Sequence, residues 1–400
     1  MISILFVITA LALLALLLFA PFVRGNMWRA TVTPLASIIG SGFLVSAPLL
    51  GREFGGYAAP AMVVLIVLAC LLGWAIRYNI RVVEPLLAEG SNKTVNSIEK
   101  LSHVVLAFAY FISVAYYLSL LGNFVLEAAS IQNATIANGI AMALLVFIGF
   151  LGLSGGAQKV AAIERYATAL NLAVIGAMLV ALAAYSIGLI GAGQSVAPPP
   201  GKMSMGSLPV LLGLLIVVQG FETTRFTGED FDADTRQRAM LIAQLVSGAI
   251  YIIFFILLSP LLGELSKGSG VAAIITVSAV VTALLPLSLT VAAAASQFSA
   301  SIADSLGEAG LVSDLTGGHI DQRHAYPLMA LVGIGILSTL DVNGVIALAS
   351  RAFALFYSLQ CLVAWQAARK RTADKRKSYA FLILGLIAAA VFVFGVPSGG

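Results

Sequence analysis

The sequence predicts an all-α integral membrane protein of about twelve transmembrane helices, with a five-plus-five inverted-repeat core, one extra helix before it and one after. Three observations carry this reading. Hydrophobic residues make up 60% of the chain and charged ones 10%, with a mean hydropathy of +1.02, whereas a soluble domain needs far more ionisable side chains on its surface. Apolar runs of about 20 residues, the length that crosses a bilayer, recur through the 400 residues and leave no room for a sizeable soluble domain. Basic residues also gather in alternate loops.

The first run, Ile2–Phe22, has no basic region ahead of it, and Ala20-Pro21-Phe22 is a poor cleavage site, so it is expected to be a retained helix rather than a signal peptide. Hydropathy and breakers then place spans at Ala30–Leu50, Tyr57–Ile76, Leu101–Leu121, Ala134–Leu153 and Tyr166–Ile190. After a loop containing Pro198-Pro199-Pro200-Gly201 come Leu208–Thr227, Ala239–Leu262, Val271–Ser299, Ala325–Leu340, Val342–Ala367 and Ser378–Val396.

Threading these spans alternately through a bilayer collects most of the 22 Lys and Arg residues on one side, from Arg24, Arg29, Arg77, Arg81, Lys93, Lys100, Lys159 and Arg165 to the Arg369–Lys377 cluster. The other side receives Arg52, Lys202 and Lys267. The excess of positive charge marks the cytoplasmic face, so both termini are expected outside the cytoplasm, in a multi-pass protein of the inner (plasma) membrane.

The Gly191–Ser207 loop divides the core into two blocks of similar length, each with an odd number of spans, so the second must run with opposite polarity. The expected organisation is an extra helix in residues 1–28, a first repeat in 29–190, a second in 208–369 and a final helix in 370–400. Two spans look interrupted at matching depth. In the first block the break is Ser37-Ile38-Ile39-Gly40-Ser41-Gly42-Phe43; in the second it is Val217-Val218-Gln219-Gly220-Phe221-Glu222-Thr223-Thr224-Arg225. Backbone unwound at membrane depth is tolerated only when buried in protein or lining a polar cavity, which points to a solute site between the two breaks.

These motifs resemble the amino acid–polyamine–organocation transporter superfamily, whose core is a leucine-transporter-like inverted repeat. Ile39-Gly40-Ser41-Gly42-Phe43 is close to the family's IGSGIF, and Gly220-Phe221-Glu222 followed by Glu229-Asp230 and Arg236 is similar to its GFE…EE…R pattern. The resemblance runs from Ala30 to Ala368. It lacks the usual prolines after Glu229 and the Pro-x-x-Gly-Gly pattern after the second core helix, as a divergent branch would. It implies that Ile39, Gly40, Ser41 and Gly42 bind a substrate carboxylate through helix-end N–H groups, with a Gly-x-Gly packing face as the alternative. It also implies that backbone carbonyls at Val218, Gln219 and Gly220 receive an ammonium group; Phe221 is a candidate aromatic gate, with plain packing, the commoner role of a lone aromatic, as the alternative.

Glu222 is the acid expected to carry coupling or gating, because a carboxylate at membrane depth is expensive to keep; the bland alternative is a pair with Arg225 three residues on. Arg351 lies about 12 Å into its span at 1.5 Å per residue, and would neutralise Glu222, contact an anionic solute or clamp two helices. Asn171 stands where proton-coupled relatives carry a lysine, which removes lysine-based coupling. Ser296 and Ser299 are the candidate hydroxyls for a sodium ion.

The expected function is a secondary transporter of an amino acid or related small organic solute working by alternating access, with the proton as coupling ion. The alternatives are sodium coupling, uncoupled exchange, and a solute sensor or accessory subunit that does not transport. A membrane enzyme is disfavoured: Gly152-Leu153-Ser154-Gly155 matches a rhomboid-type nucleophile pattern, but His319 and His324 lie in polar loops. His103, at a span end, is expected at the surface. Glu84, Glu89, Lys93, Glu99 and Lys100 form a mixed-charge segment read as a solvated helix. Cys70 and Cys361 are expected as buried thiols. No disulfide, metal, cofactor or nucleic-acid partner is expected; the partners are the bilayer, the solute and the coupling ion.

Overall fold

The computed structural model describes residues 1–89, 93–155, 164–265 and 270–397. Twelve helical units match the predicted spans: α1 Ile2–Phe19, α2 Asn26–Phe54, α3 Ala58–Tyr78, α4 Lys93–Ala128, α5 Ala134–Leu153, α6 Glu164–Gly191, α7 Ser207–Leu212, α8 Ala233–Leu257, α9 Leu285–Leu315, α10 Gln322–Thr339, α11 Val342–Arg369 and α12 Lys375–Phe394. Among the described residues ten helices are long and apolar enough to cross a membrane, α3 being continued by a π-turn at Asn79–Val83 and a short helix to Ala88. The remaining two units are α7, which is only the first piece of a broken span, and α10, whose first turn carries Arg323 and His324. Among the described residues the sole extended pairing is an isolated bridge between Gly55 and Gly201, where the proline-rich loop folds back on the α2–α3 turn.

Most helices overrun the predicted spans, because turns beyond the hydrocarbon stay hydrogen-bonded and are capped by polar side chains. Asp232 and Asp321 accept the backbone N–H groups of Thr235 and His324, which cap α8 and α10 and hold both carboxyls below the usual range. One boundary needs correction. Val271–Ser299 is not a single span: Ala273–Val277 and Ser278–Val280 are short helical pieces, and the membrane helix is α9. Hydropathy falls after Ser299, but Ser301, Asp304, Ser305 and Glu308 are buried against protein, so the polar stretch continues the helix instead of ending it.

Burial separates core from periphery. Only Phe6 of α1 is buried and α1 packs on α6, whereas α2 and α4 are buried along most of their length. Contacts pair the two blocks element by element: α2 with the broken helix, α3 with α8, α4 with α9 and α5 with α10. The last helix, α12, lies along α11.

Candidate functional site

The second interruption is a true break. After α7 the chain makes a 3-10 turn over Leu215–Val218, extends at Gln219, turns left-handed at Gly220 (φ +115°) and resumes as a 3-10 helix over Phe221–Phe226. Polar side chains surround it. Tyr251 Oη shares its one proton between Val217 O at 2.5 Å and, across in α2, Ile38 O at 3.2 Å; Ser350 Oγ accepts the Ile216 N–H at 2.9 Å, and Gln219 Nε2 donates to Tyr117 Oη at 3.2 Å. Glu222 closes the break: its Oε2 accepts the Gly220 N–H at 3.0 Å and the Tyr357 hydroxyl at 2.7 Å. Phe221 is fully buried and stacks on the Tyr357 ring at 5.1 Å. The Gly220 carbonyl, expected to be open to a solute, accepts from Thr223 Oγ1 at 2.8 Å.

The first interruption is not unwound. Gly40-Ser41-Gly42 lies inside the continuous helix α2, so its N–H groups belong to the helix ladder and form no exposed nest in this conformation. The Ser41 side chain lies outside the described residues. What the glycines do here is allow contact: a Cβ on Gly42 would run into the backbone and side chain of Val217, and one on Gly40 would sit 3.1 Å from Ser296 Oγ. Gln297 Nε2 makes an additional bond to Gly40 O at 2.6 Å. On the Gly40–Gly42 side a cavity of about 10 Å³ remains between Ile39, Phe43, Asn171, Ser296 and Gln297, and Val218 borders a second of the same size. That is barely room for one water, so this conformation is closed around the site.

Gly42→Ala is therefore expected to lower the thermal midpoint, the overpacking amounting to about 1–3 kcal/mol. Gly139→Ala, at an exposed helical glycine with nothing within 4 Å, should leave it unchanged or raise it slightly, since Ala favours the helix. Equal behaviour of the two variants in a thermal melt would contradict the close approach.

Arg225 does not pair with Glu222. Its guanidinium meets Glu99 at 2.9 Å and Glu84 at 3.9 Å, and donates to Gln360 Oε1. Gln360 in turn bonds Glu99, Ser102 and Asn79, while Arg236 grips Glu84 at 2.6 and 3.0 Å and reaches the Arg225 carbonyl. Glu99 is 4% exposed, so the mixed-charge segment read as solvated is in part a buried lock joining α3, α4, the broken helix, α8 and α11. His103 joins it through Glu99 at 3.1 Å rather than standing free at the surface.

Comparison with known proteins gives the family. A family model described as an APC superfamily transporter matches residues 20–395. The chain belongs to the APC superfamily of transporters. An Aquifex aeolicus (strain VF5) protein described as uncharacterized is 36% identical over 395 residues, 97% of this chain and 96% of the relative. A structure of Mhp1, a nucleobase-cation-symport-1 family transporter, in a closed conformation with bromovinylhydantoin bound, is similar at a TM-score of 0.45 and 15% identity, covering 92% of this chain and 91% of that one.

In this APC superfamily transporter Arg351 takes the clamp among the three roles weighed for it: Nε donates to Phe392 O at 2.7 Å and the guanidinium lies over the Phe392 ring, tying α11 to α12. Asn171 donates to Ser296 Oγ at 3.1 Å. Ser296 and Ser299 line a cavity of about 40 Å³ with Thr33, Ser37, Thr168, Thr223 and Asp304. Asp304 accepts from Ser113 Oγ, and one turn further Glu308 is buried with neither carboxylate oxygen hydrogen-bonded among the described residues. Sequence reasoning passed over Asp304, Glu308, Gln297, Tyr251 and Tyr357. The polar stripe at i, i+3/i+4 spacing from Ser301 to Glu308 was the signal for the two acids; the others are ordinary core residues until their partners are seen.

Proposed function

We propose that this transporter moves an amino acid or a related small organic solute by alternating access, driven by protons, through a site walled by Ile39, Gly40, Ser41 and Gly42 on α2 and Val218–Phe221 at the break. The observation that carries the proposal is Glu222, a wholly buried acid whose carboxylate completes the broken backbone and, among the described residues, has no cation paired with it. Protonation there weakens the tie across the break, so the charge on one side chain and the shape of the solute site change together. The pairwise packing of the two blocks supports the inverted repeat with 29–190 and 208–369 as its halves. The basic loops favour an inner-membrane protein with both termini outside the cytoplasm.

In this reading the Arg225–Glu99–Glu84–Arg236 lock seals the cytoplasmic end, and the hydroxyl-lined cavity lies between lock and break. Those hydroxyls and Asp304 favour sodium as the second reading for the coupling ion. Thermal-shift screening of the purified protein against amino acids, amines and nucleobases tests the substrate class. An amino acid or amine at about 100 times its Kd adds about 2.7 kcal/mol to stability; stabilisation by a nucleobase alone would overturn the amino acid assignment.

A further inference from the structure

We propose that the chain binds an anionic phospholipid of the surrounding bilayer in the groove between α1, α2 and α6. The groove encloses about 630 Å³, far more than any cavity at the solute site. Leu17 and Leu18 of α1, Val32 of α2 and Leu172 of α6 give it apolar walls suited to an acyl chain. At the end where α1 passes into α2, Arg24 and Arg29 line it together with Trp28 and Tyr166. Both arginines are exposed, and among the described residues neither has a carboxylate partner; Arg29 instead rests 6.0 Å from the Phe231 ring.

Two exposed guanidinium groups without a carboxylate partner among the described residues, set above an apolar slot, form an amphipathic receptor. Guanidinium forks match phosphate oxygens, and aromatic residues such as Trp28 and Tyr166 sit well at headgroup depth. Basic pockets between membrane helices bind anionic headgroups for the same reason. A soluble phosphate would use the arginines but leave the apolar half empty, so charge and shape together select a lipid. The groove also backs onto the closed solute route: Val32 and Ala169 face it, while their neighbours Thr33 and Thr168 line the hydroxyl cavity. A lipid held there rests one residue away from that cavity on both α2 and α6.

Native mass spectrometry of the full-length protein, released from micelles containing phosphatidylglycerol or phosphatidylcholine, tests this. Wild type is expected to retain phosphatidylglycerol and not phosphatidylcholine. An Arg24→Gln/Arg29→Gln variant should retain at least about tenfold less, taking about fivefold per cationic residue. The matching double lysine variant should keep it, and Leu172→Trp, which fills the slot without touching charge, should lose it. Soluble glycerol phosphate should displace none. Equal retention by wild type and the double glutamine variant, equal retention of phosphatidylcholine, or displacement by glycerol phosphate would each overturn the site.

Discussion

Glu222→Gln protein in proteoliposomes will exchange solute but will not accumulate it in response to an inward proton gradient. Gln mimics the protonated, neutral side chain: it still offers an acceptor to the Gly220 N–H and the Tyr357 hydroxyl, but a weaker one than a carboxylate, so the tie across the break is permanently loosened. What it cannot do is change charge. For one proton per solute, a gradient of one pH unit sustains at most about tenfold accumulation, the equivalent of about 1.4 kcal/mol. Wild type should approach that ceiling and the variant should stay near unity, with counterflow rates within a fewfold of each other. The sign follows from the chemistry: acid outside loads the carboxyl, the neutral form weakens the tie at Gly220, and loss of the proton inside restores it. An undiminished response to the gradient in the Gln variant would remove Glu222 from coupling and move attention to Asp304 and Glu308. A sodium gradient replacing the proton gradient in wild type would favour the hydroxyl cavity as the ion site.

Arg225→Gln should produce the largest loss of stability of any single change in the lock. It strands Glu99, whose side chain is 5% exposed, without its guanidinium partner, and breaking a buried ion pair from one side costs about 3–5 kcal/mol. The thermal midpoint in detergent should fall sharply, and Glu99→Gln alone should fall comparably. The double variant Arg225→Gln/Glu99→Gln should recover most of the loss, because two neutral amides strand no charge. Strict additivity of the two single losses would show that the groups act independently, contrary to the 2.9 Å pair. Arg236→Gln should cost less, since its partner Glu84 is 28% exposed and water shares the charge.

Much of this architecture was readable from residue order, and the reasons differ by feature. Apolar length dictates the helices, and Gly220 between Gln219 and Glu222 in an apolar run dictates a break, because no continuous helix would place those polar groups and that glycine together cheaply. Gly40-Ser41-Gly42 is ambiguous by nature: small residues serve unwound backbone and close packing equally, and only Val217 lying opposite decides for packing in this conformation. Glu99 and Glu84 looked solvated because the arginines that bury them come from the other half of the chain. Arg351 had no legible partner since it bonds a backbone carbonyl, which every residue carries. The C-terminal half of α9 was hidden because hydropathy scores Asp304 and Glu308 as if they met water, when they meet protein.

The central claim is that a solute completes the site at the Gln219–Gly220 break and crosses the membrane there. Counterflow tests it most directly: proteoliposomes preloaded with an unlabelled solute found by thermal shift are diluted into trace labelled solute. Transient accumulation of label is expected in wild type, with strong reduction in Gly220→Val, where both the positive φ and the adjacent Ser37 oppose a side chain. A purified protein that binds the solute yet shows no accumulation of label above protein-free vesicles would contradict the account.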